Sequence, residues 1–133
     1  MTKEEKQLLL RDLCARLPYM VKVRYTDDCD HDWHIMELID VDDDEIYITS
    51  QDPYVNGFAK TEKIKPYLFP ISSMTDEQKE MYCQLQQRVI YNSKGAVNED
   101  VMNYVNWCYE NHLDVNDLIP NDLAIDCTGL NIY

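Results

Sequence analysis

The sequence predicts an α+β fold with an N-terminal helix, a three- to five-stranded antiparallel sheet, two C-terminal helices and an irregular tail. An apolar helical stripe precedes Pro18, alternating segments fill residues 20–50, and two more helical stripes follow residue 75. Because the strands form one block and the later helices another, this order favours α+β over repeated βαβ units. The strand block is expected to form a flat meander or a small SH3-like or Sm-like barrel.

The first helix is predicted over Thr2–Leu17. Thr2 and Glu5 have the spacing of a capping box, which satisfies two free amides at a helix start. The predicted buried stripe is Leu10, Leu13, Cys14 and Leu17. Pro18 ends the helix because it disfavours the α region for the residue before it.

Three strands are predicted next, over Met20–Thr26, Trp33–Val41 and Glu45–Ser50, where apolar residues alternate or cluster. The acidic run Asp42–Asp44 suits a tight turn between the last two strands, since Asp tolerates turn conformations. Asn56-Gly57 is interpreted as a further turn.

Two prolines, Pro66 and Pro70, predict that the segment between them is an edge strand or an extended cover. A second helix is predicted to begin at Ser73 or Thr75, and its stripe is Met81, Tyr82, Leu85 and Val89. A loop over Asn92–Gly95 is expected to follow.

The third helix is predicted to be capped by Asn98, with a hydrophobic contact between Val97 and Met102 around the cap. The tail is expected to contain a helical turn near Val115–Ile119 and a short strand near Leu123–Cys127. The whole chain is interpreted as one domain, 1–133, divided into a helix (1–17), a β region (18–70), two helices (72–112) and a tail (113–133).

Composition excludes several functional classes. The chain has 133 residues, 12 Lys and Arg against 25 Asp and Glu, and a net charge of −13. Such a charge disfavours binding to a nucleic-acid backbone or an anionic membrane. No charge-free apolar run is long enough to span a membrane, and no secretory leader is recognised, so a cytoplasmic location is expected. Its five cysteines are odd in number and contain no CxxC pair, which favours a reducing compartment. Cys14, Cys83 and Cys108 are expected to be buried on the apolar faces of their helices.

The acidic residues are concentrated in one segment. Residues 26–45 hold ten acids and no base, so they contribute −10 of the total −13. We interpret this segment as an acidic hairpin that docks on a basic surface of a protein partner. The candidate protein-binding residues are Asp27, Asp28, Asp30, Asp32, Asp40, Asp42, Asp43, Asp44 and Glu45.

A small-ligand site is the alternative hypothesis. Lys60, Lys63 and Lys65 form a basic cluster that, with Arg24 and neighbouring tyrosines, could bind a nucleotide signal. The simpler interpretation is that these lysines protect a sheet edge from pairing with another chain.

A third hypothesis is a metal-dependent enzyme centred on Asp30, His31 and His34. Because these ligands are crowded into one loop, a solvated acidic turn is favoured, and neither a metal nor another cofactor is expected. Asp40-x-Asp42-x-Asp44 resembles the start of a calcium loop, but Glu45 stands where that loop needs Gly. No phosphate-binding glycine loop and no nucleophile elbow are present, so the chain is expected not to be an enzyme.

Three stretches carry a family resemblance: Leu13–Tyr19 before Val21–Val23, Ile64–Pro70, and Ser72–Thr75. The tail adds Trp107, His112, Leu118-Ile119 and Leu123-Ala124. Together they resemble small phage and prophage-type proteins of gut anaerobes, and the resemblance carries no catalytic residues. It implies a small cytoplasmic accessory protein that acts on host machinery or host defence. Apart from the resemblance, the chain is expected to be monomeric or dimeric. If its partner binds nucleic acid, the chain is expected to act as a DNA mimic.

Overall fold

A computed structural model describes residues 1–51, 54–91 and 98–133. The predicted loop at Asn92–Gly95, the Val97 contact and the Asn98 side-chain cap lie outside the described residues. The three predicted helices are confirmed as α1 (Lys3–Arg16), α2 (Asp76–Tyr91) and α3 (Asn98–Glu110). The α+β class is therefore confirmed.

Helix α1 begins with the predicted capping box. Thr2 Oγ1 accepts from the Glu5 amide at 3.1 Å, and the Glu5 carboxylate accepts from the Thr2 amide at 3.4 Å. The buried face differs from the predicted stripe, because Cys14 is exposed and Leu10 and Leu17 are only half-buried. The residues buried on α1 are Leu9, Asp12, Leu13 and Arg16.

The strands form one six-stranded mixed sheet in the order β4-β3-β2-β1-β5-β6. They span Lys22–Thr26 (β1), Asp32–Asp42 (β2), Glu45–Gln51 (β3), Tyr54–Lys60 (β4), Ile64–Leu68 (β5) and Ile125–Asp126 (β6). The prediction of a wholly antiparallel sheet with three to five strands is wrong, because β6 pairs parallel to β5. This pairing joins Tyr67 to Ile125, and local periodicity carries no signal for contacts so distant in sequence.

The predicted turn at Asn56-Gly57 is also wrong. Both residues lie inside β4, where Asn56 pairs with Thr49 and Gly57 pairs with Ile48. Because Val55 and Ala59 point to the core side on either side of Gly57, the alternation of a strand outweighs the local turn signal. A short 3-10 turn at Thr61–Lys63 then leads into β5.

The first predicted hairpin turn is confirmed between β2 and β3. Asp42 pairs with Glu45, and Asp43 takes the left-handed conformation with φ 52°. Pro66 lies in β5 between two strands rather than at an edge. On one side it pairs with Val23 of β1. On the other side the ladder to β6 begins only at Tyr67, so the missing N–H of Pro66 leaves no hydrogen bond of that ladder unmade.

The main core lies between α1 and one face of the sheet. Leu9 and Leu13 of α1 pack there with strand residues such as Val23 and Ile46 and with Leu118 of the tail. Helices α2 and α3 cover a second, smaller cluster around Met74, Cys108 and Leu113. Helix α2 starts with the predicted box, since the Thr75 amide donates to Gln78 Oε1 and the Gln78 amide donates to Thr75 Oγ1.

Candidate functional site: an acidic groove beside β4

The predicted acidic residues occupy two separate turns. Asp27, Asp28 and Asp30 lie in the turn between β1 and β2, whereas Asp42–Glu45 form the turn between β2 and β3. Strand β2 is 11 residues long, so these turns lie at its opposite ends. The acidic residues therefore occupy two separate turns rather than one continuous hairpin.

Parts of both turns line one groove. Two adjoining cavities of about 270 Å³ each lie between the β1–β2 turn and β4, and both are lined by Tyr25 and Phe58. The first also contains Trp33 and Asp27, and the second contains Asp28 and Glu45 together with Glu62, Lys60 and Lys63. We call this pair of cavities the acidic groove.

Aromatic side chains continue from the groove onto the outer face of the sheet. Phe58 is 64% exposed and its ring centroid lies 5.1 Å from that of Tyr47 on β3. Asp40 pairs with Tyr47, and Asp42 pairs with Glu45, so carboxylates border the aromatic pair on the same strands. This surface therefore combines apolar contact area with negative charge.

Asp27 organises the turn at one end of the groove. Its carboxylate accepts from the amides of Cys29 at 2.9 Å and His31 at 2.8 Å, and from the Trp33 indole at 3.2 Å. The His31 amide, helped by Trp33, lowers the pKa of Asp27 below its usual value. Asp27 thus stays ionised and fixes the ring of Trp33 at the groove wall.

Asp44 and Asp32 are also committed to internal contacts. Asp44 accepts from Lys6 at 2.6 Å and from the Thr61 hydroxyl at 2.7 Å, and the hydrogen bond from Lys6 is the main cause that lowers its pKa to about 2. Asp32 accepts from Arg24 at 2.6 Å and from Thr26 at 2.7 Å. Asp27, Asp32 and Asp44 therefore have structural roles within the protein. The exposed acids that remain are Asp28, Asp30, Asp40, Asp42, Asp43 and Glu45.

A β-bulge shapes strand β2 next to this region. Val23 pairs with Met36 and Tyr25 pairs with Trp33, so His34 and Ile35 together face the single residue Arg24. Ile35 takes φ 60°, a conformation that β-branched residues rarely adopt. The bulge is thus a strained point in the strand that carries Trp33.

The candidate ligand-binding residues separate into two places. Arg24, Lys63 and Lys65 line one pocket of about 270 Å³ together with Thr26 and Glu62. Lys60 instead lies in the acidic groove, paired across the ladder with Glu45. The structure therefore brings together three of these four residues.

A buried ion pair was missed by the sequence analysis. Arg16 donates from Nε and Nη2 to the carboxylate of Asp12, and Nη2 also donates to the Leu113 carbonyl at 2.7 Å. Both side chains are fully buried, and Asn116 donates to Asp12 at 2.9 Å. The sequence does place Asp12 and Arg16 on the same helical face as the buried Leu9 and Leu13. Charged pairs at this spacing usually lie on a protein surface, so the pattern did not indicate burial.

The five cysteines are all free thiols. Cys108 is buried as predicted, and burial raises the pKa of its thiol to about 11, which keeps it protonated and unreactive. The prediction that Cys14 and Cys83 are buried is wrong, because both are exposed. Cys29 is exposed too, and its neighbour His31 packs edge-on against Trp33 with ring centroids 4.4 Å apart.

All three histidines and all five cysteines of the chain lie within residues 1–51, 54–91 and 98–133. Within these ranges, no three His, Cys, Asp or Glu side chains are grouped so that they could hold a metal ion. His34 instead has Nδ1 3.4 Å from the Tyr67 hydroxyl. No helix in the same ranges combines the length and apolar character needed to cross a membrane.

Comparison of the chain with models of known protein families, with curated proteins and with solved structures finds no match. The resemblance to phage-type proteins therefore stays an expectation. What the chain binds must be inferred from its own contacts, charges and burial.

Proposed function

We propose that this chain is a non-enzymatic interaction protein that binds a basic surface of a protein partner through the acidic groove. The observation that carries the proposal is the convergence of Asp28 and Glu45, from two different turns, around the exposed ring of Phe58. Exposed carboxylates speed the encounter with a basic partner and orient it, while aromatic rings supply contact area.

Strand β4 adds a second reason to place the partner here. It is the last strand on its side of the sheet, so its outer edge offers backbone groups to an incoming segment. Lys60 is the only described basic residue on β4, between Glu45 across the ladder and Glu62 in the following turn. A basic segment of the partner would therefore meet little repulsion along this edge.

The partner class follows from the sequence-based expectations. We infer a host or phage protein in the cytoplasm whose own function requires a basic surface, such as a nucleic-acid-binding protein. Binding would then make this chain a DNA mimic and a candidate inhibitor of host defence. The chain would act as a monomer or homodimer.

We further propose that the strands form a small SH3-like barrel. Strand β2 pairs with β1 through its first half and with β3 through its second half, a 3-10 turn separates β4 from β5, and β5 returns to β1. The acidic groove would then be the seam where the barrel nearly closes. Nuclear Overhauser contacts between the rings of Tyr25 and Phe58 test this closure, and their absence would contradict it.

Capture experiments with matched variants test the binding proposal. Phe58→Ser removes an aromatic side chain from the groove, and Ile90→Ser removes an equally exposed apolar side chain from α2, the two being 64% and 65% exposed. Each purified protein is immobilised, incubated with lysate of the source organism, and its bound proteins are quantified by mass spectrometry. We expect a partner that wild type and Ile90→Ser retain and that Phe58→Ser loses. Equal retention by all three proteins, or equal loss from both variants, would contradict the proposal.

A further inference from the structure

A basic pocket lies on the other side of the Thr61–Lys63 turn from the acidic groove. It has a volume of about 270 Å³ and is lined by Arg24 and Thr26 of β1, Lys65 of β5, and Glu62 and Lys63 of the turn. Three cations thus face one carboxylate, in a chain whose net charge is −13. We call this cavity the basic pocket.

Two of its cations oppose each other directly. Arg24 and Lys65 are register partners on antiparallel strands, which places their Cβ atoms about 5 Å apart. Like charges at such a position destabilise the pairing of the strands. The ion pairs of Arg24 with Asp32 and of Lys65 with Asp122 offset part of this repulsion, and an anion between the two cations would offset it further.

The carboxylates that balance these cations are weak competitors for them. Lys63 lies 4.0 Å from Asp28 and Lys65 lies 2.9 Å from Asp122, but these two acids are 98% and 90% exposed. Ion pairs so exposed to solvent are weak, so a ligand can replace them at little cost.

Arg24 provides the most specific feature of the pocket. Its Nη2 donates to Asp32, whereas its Nε is shielded from solvent and has no hydrogen-bond partner among the described residues. An unpaired buried donor is unfavourable, so a movement of the Arg24 side chain that exposed Nε to an acceptor would be favoured. A guanidinium with such a donor suits oxyanions that can accept hydrogen bonds from its fork.

We propose that the basic pocket binds one phosphate group, either as inorganic phosphate or as the phosphate of an ester. A phosphate monoester offers three acceptor oxygens to the three lining cations, whereas a carboxylate offers two. A nucleic-acid backbone is a poorer ligand, because its many phosphates would meet the negative charge of the rest of the chain. This pocket shares Glu62 and Lys63 with the acidic groove, but phosphate binding here does not require a protein partner in the groove.

Titration with inorganic phosphate tests the proposal. Amide NMR spectra are recorded at constant ionic strength, with sodium chloride replaced stepwise by sodium phosphate. We expect saturable shifts at Arg24, Thr26, Lys63 and Lys65. The double variant Lys63→Gln/Lys65→Gln should weaken binding at least tenfold while its other amide signals stay in place. The control Lys3→Gln/Lys79→Gln removes two exposed lysines elsewhere and should bind phosphate as wild type does.

Two further ligands distinguish the sources of the phosphate. Adenosine monophosphate binding more tightly than inorganic phosphate, with adenosine alone inactive, would assign the pocket to an ester; equal affinities would assign it to free phosphate. The proposal is overturned if the shifts rise linearly without saturation, or if Lys63→Gln/Lys65→Gln leaves them unchanged. Loss of partner capture by the Phe58→Ser variant with phosphate binding intact would show that the two sites act independently.

Discussion

At the scale of single residues, the buried pair of Asp12 and Arg16 ties α1 to the C-terminal tail. The Arg16 guanidinium contacts the Leu113 carbonyl and lies 4.8 Å from the centre of the Tyr109 ring. Its Nη1 is buried and has no hydrogen-bond partner within the described ranges. Such an arrangement fixes how two parts of the chain meet, although the burial of both charges offsets much of their attraction.

Removing only one partner of this pair should be costly. We expect Arg16→Met to lower the free energy of unfolding by about 3–5 kcal/mol, because it leaves the carboxylate of Asp12 buried without its cation. The double variant Asp12→Leu/Arg16→Met should recover most of that loss. Urea denaturation of both variants measures the coupling, and simply additive losses would contradict it.

The burial of His112 makes the free energy of unfolding depend on pH. Its ring stacks on Tyr133 with centroids 3.6 Å apart, and burial, with smaller contributions from Arg16 and Lys22, lowers its pKa from 6.5 to about 4. Because the unfolded chain binds the proton more readily, the contribution of neutral His112 is complete above pH 6.5. It is lost progressively as the pH falls to about 4.

The melting temperature of His112→Gln, followed from pH 7 to pH 4, measures this contribution. We expect the variant to lose less stability than wild type over that interval. Parallel curves for the two proteins would show that His112 does not titrate as the structure implies.

At the scale of elements, α1 is held by the face that contains Leu13. Leu13→Asp should destabilise the protein by more than about 4 kcal/mol, because it places an unpaired charge in the core. The neighbouring Cys14→Asp introduces the same charge on the exposed side and should cost less than about 1 kcal/mol. Thermal melting compares the two variants, and similar losses would mean that α1 does not dock through this face.

The β2–β3 turn is attached to α1 and to the Thr61 turn through Asp44. We expect Asp44→Asn to destabilise the protein by roughly 1–2 kcal/mol at neutral pH, since it loses the Lys6 ion pair and weakens the bonds from Thr61. Because the pKa of Asp44 is lowered from 3.8 to about 2, wild type loses this contribution as the pH falls through that window.

Melting curves of wild type and Asp44→Asn between pH 7 and pH 2 check this attachment. The difference between them should shrink below pH 4. A constant difference would contradict the proposed role of the carboxylate.

Local signals in the sequence predicted the three helices and the first three strands, whereas they missed β4 and the long-range pairing of β5 with β6. Thr2 with Glu5, and Thr75 with Gln78, identify helix starts because each box lies within four residues. The pairing of Ile125 with Tyr67 depends on the path of the whole chain. The acidic residues were recognised from composition, but their division into structural and exposed carboxylates required knowing that Thr61 lies beside Asp44.

At the scale of the whole molecule, charge is distributed so that different surfaces suit different ligands. The acidic groove and the basic pocket are separated by the Thr61–Lys63 turn and share Glu62 and Lys63. We propose that exposed carboxylates at the acidic groove and the β2–β3 turn steer a basic protein partner. Since Asp44 is structural, the informative variant is Asp42→Asn/Asp43→Asn/Glu45→Gln.

The most direct measurement is the association rate with the captured partner at about 50 mM and about 200 mM salt, where screening lengths differ markedly. The triple variant should associate roughly tenfold more slowly at low salt and depend less on salt than wild type does. The control Glu80→Gln/Glu110→Gln/Asp117→Asn removes three exposed acids elsewhere and should change both quantities less. If the triple variant keeps the wild-type rate and salt dependence, the acidic residues do not steer binding and the proposed function is wrong.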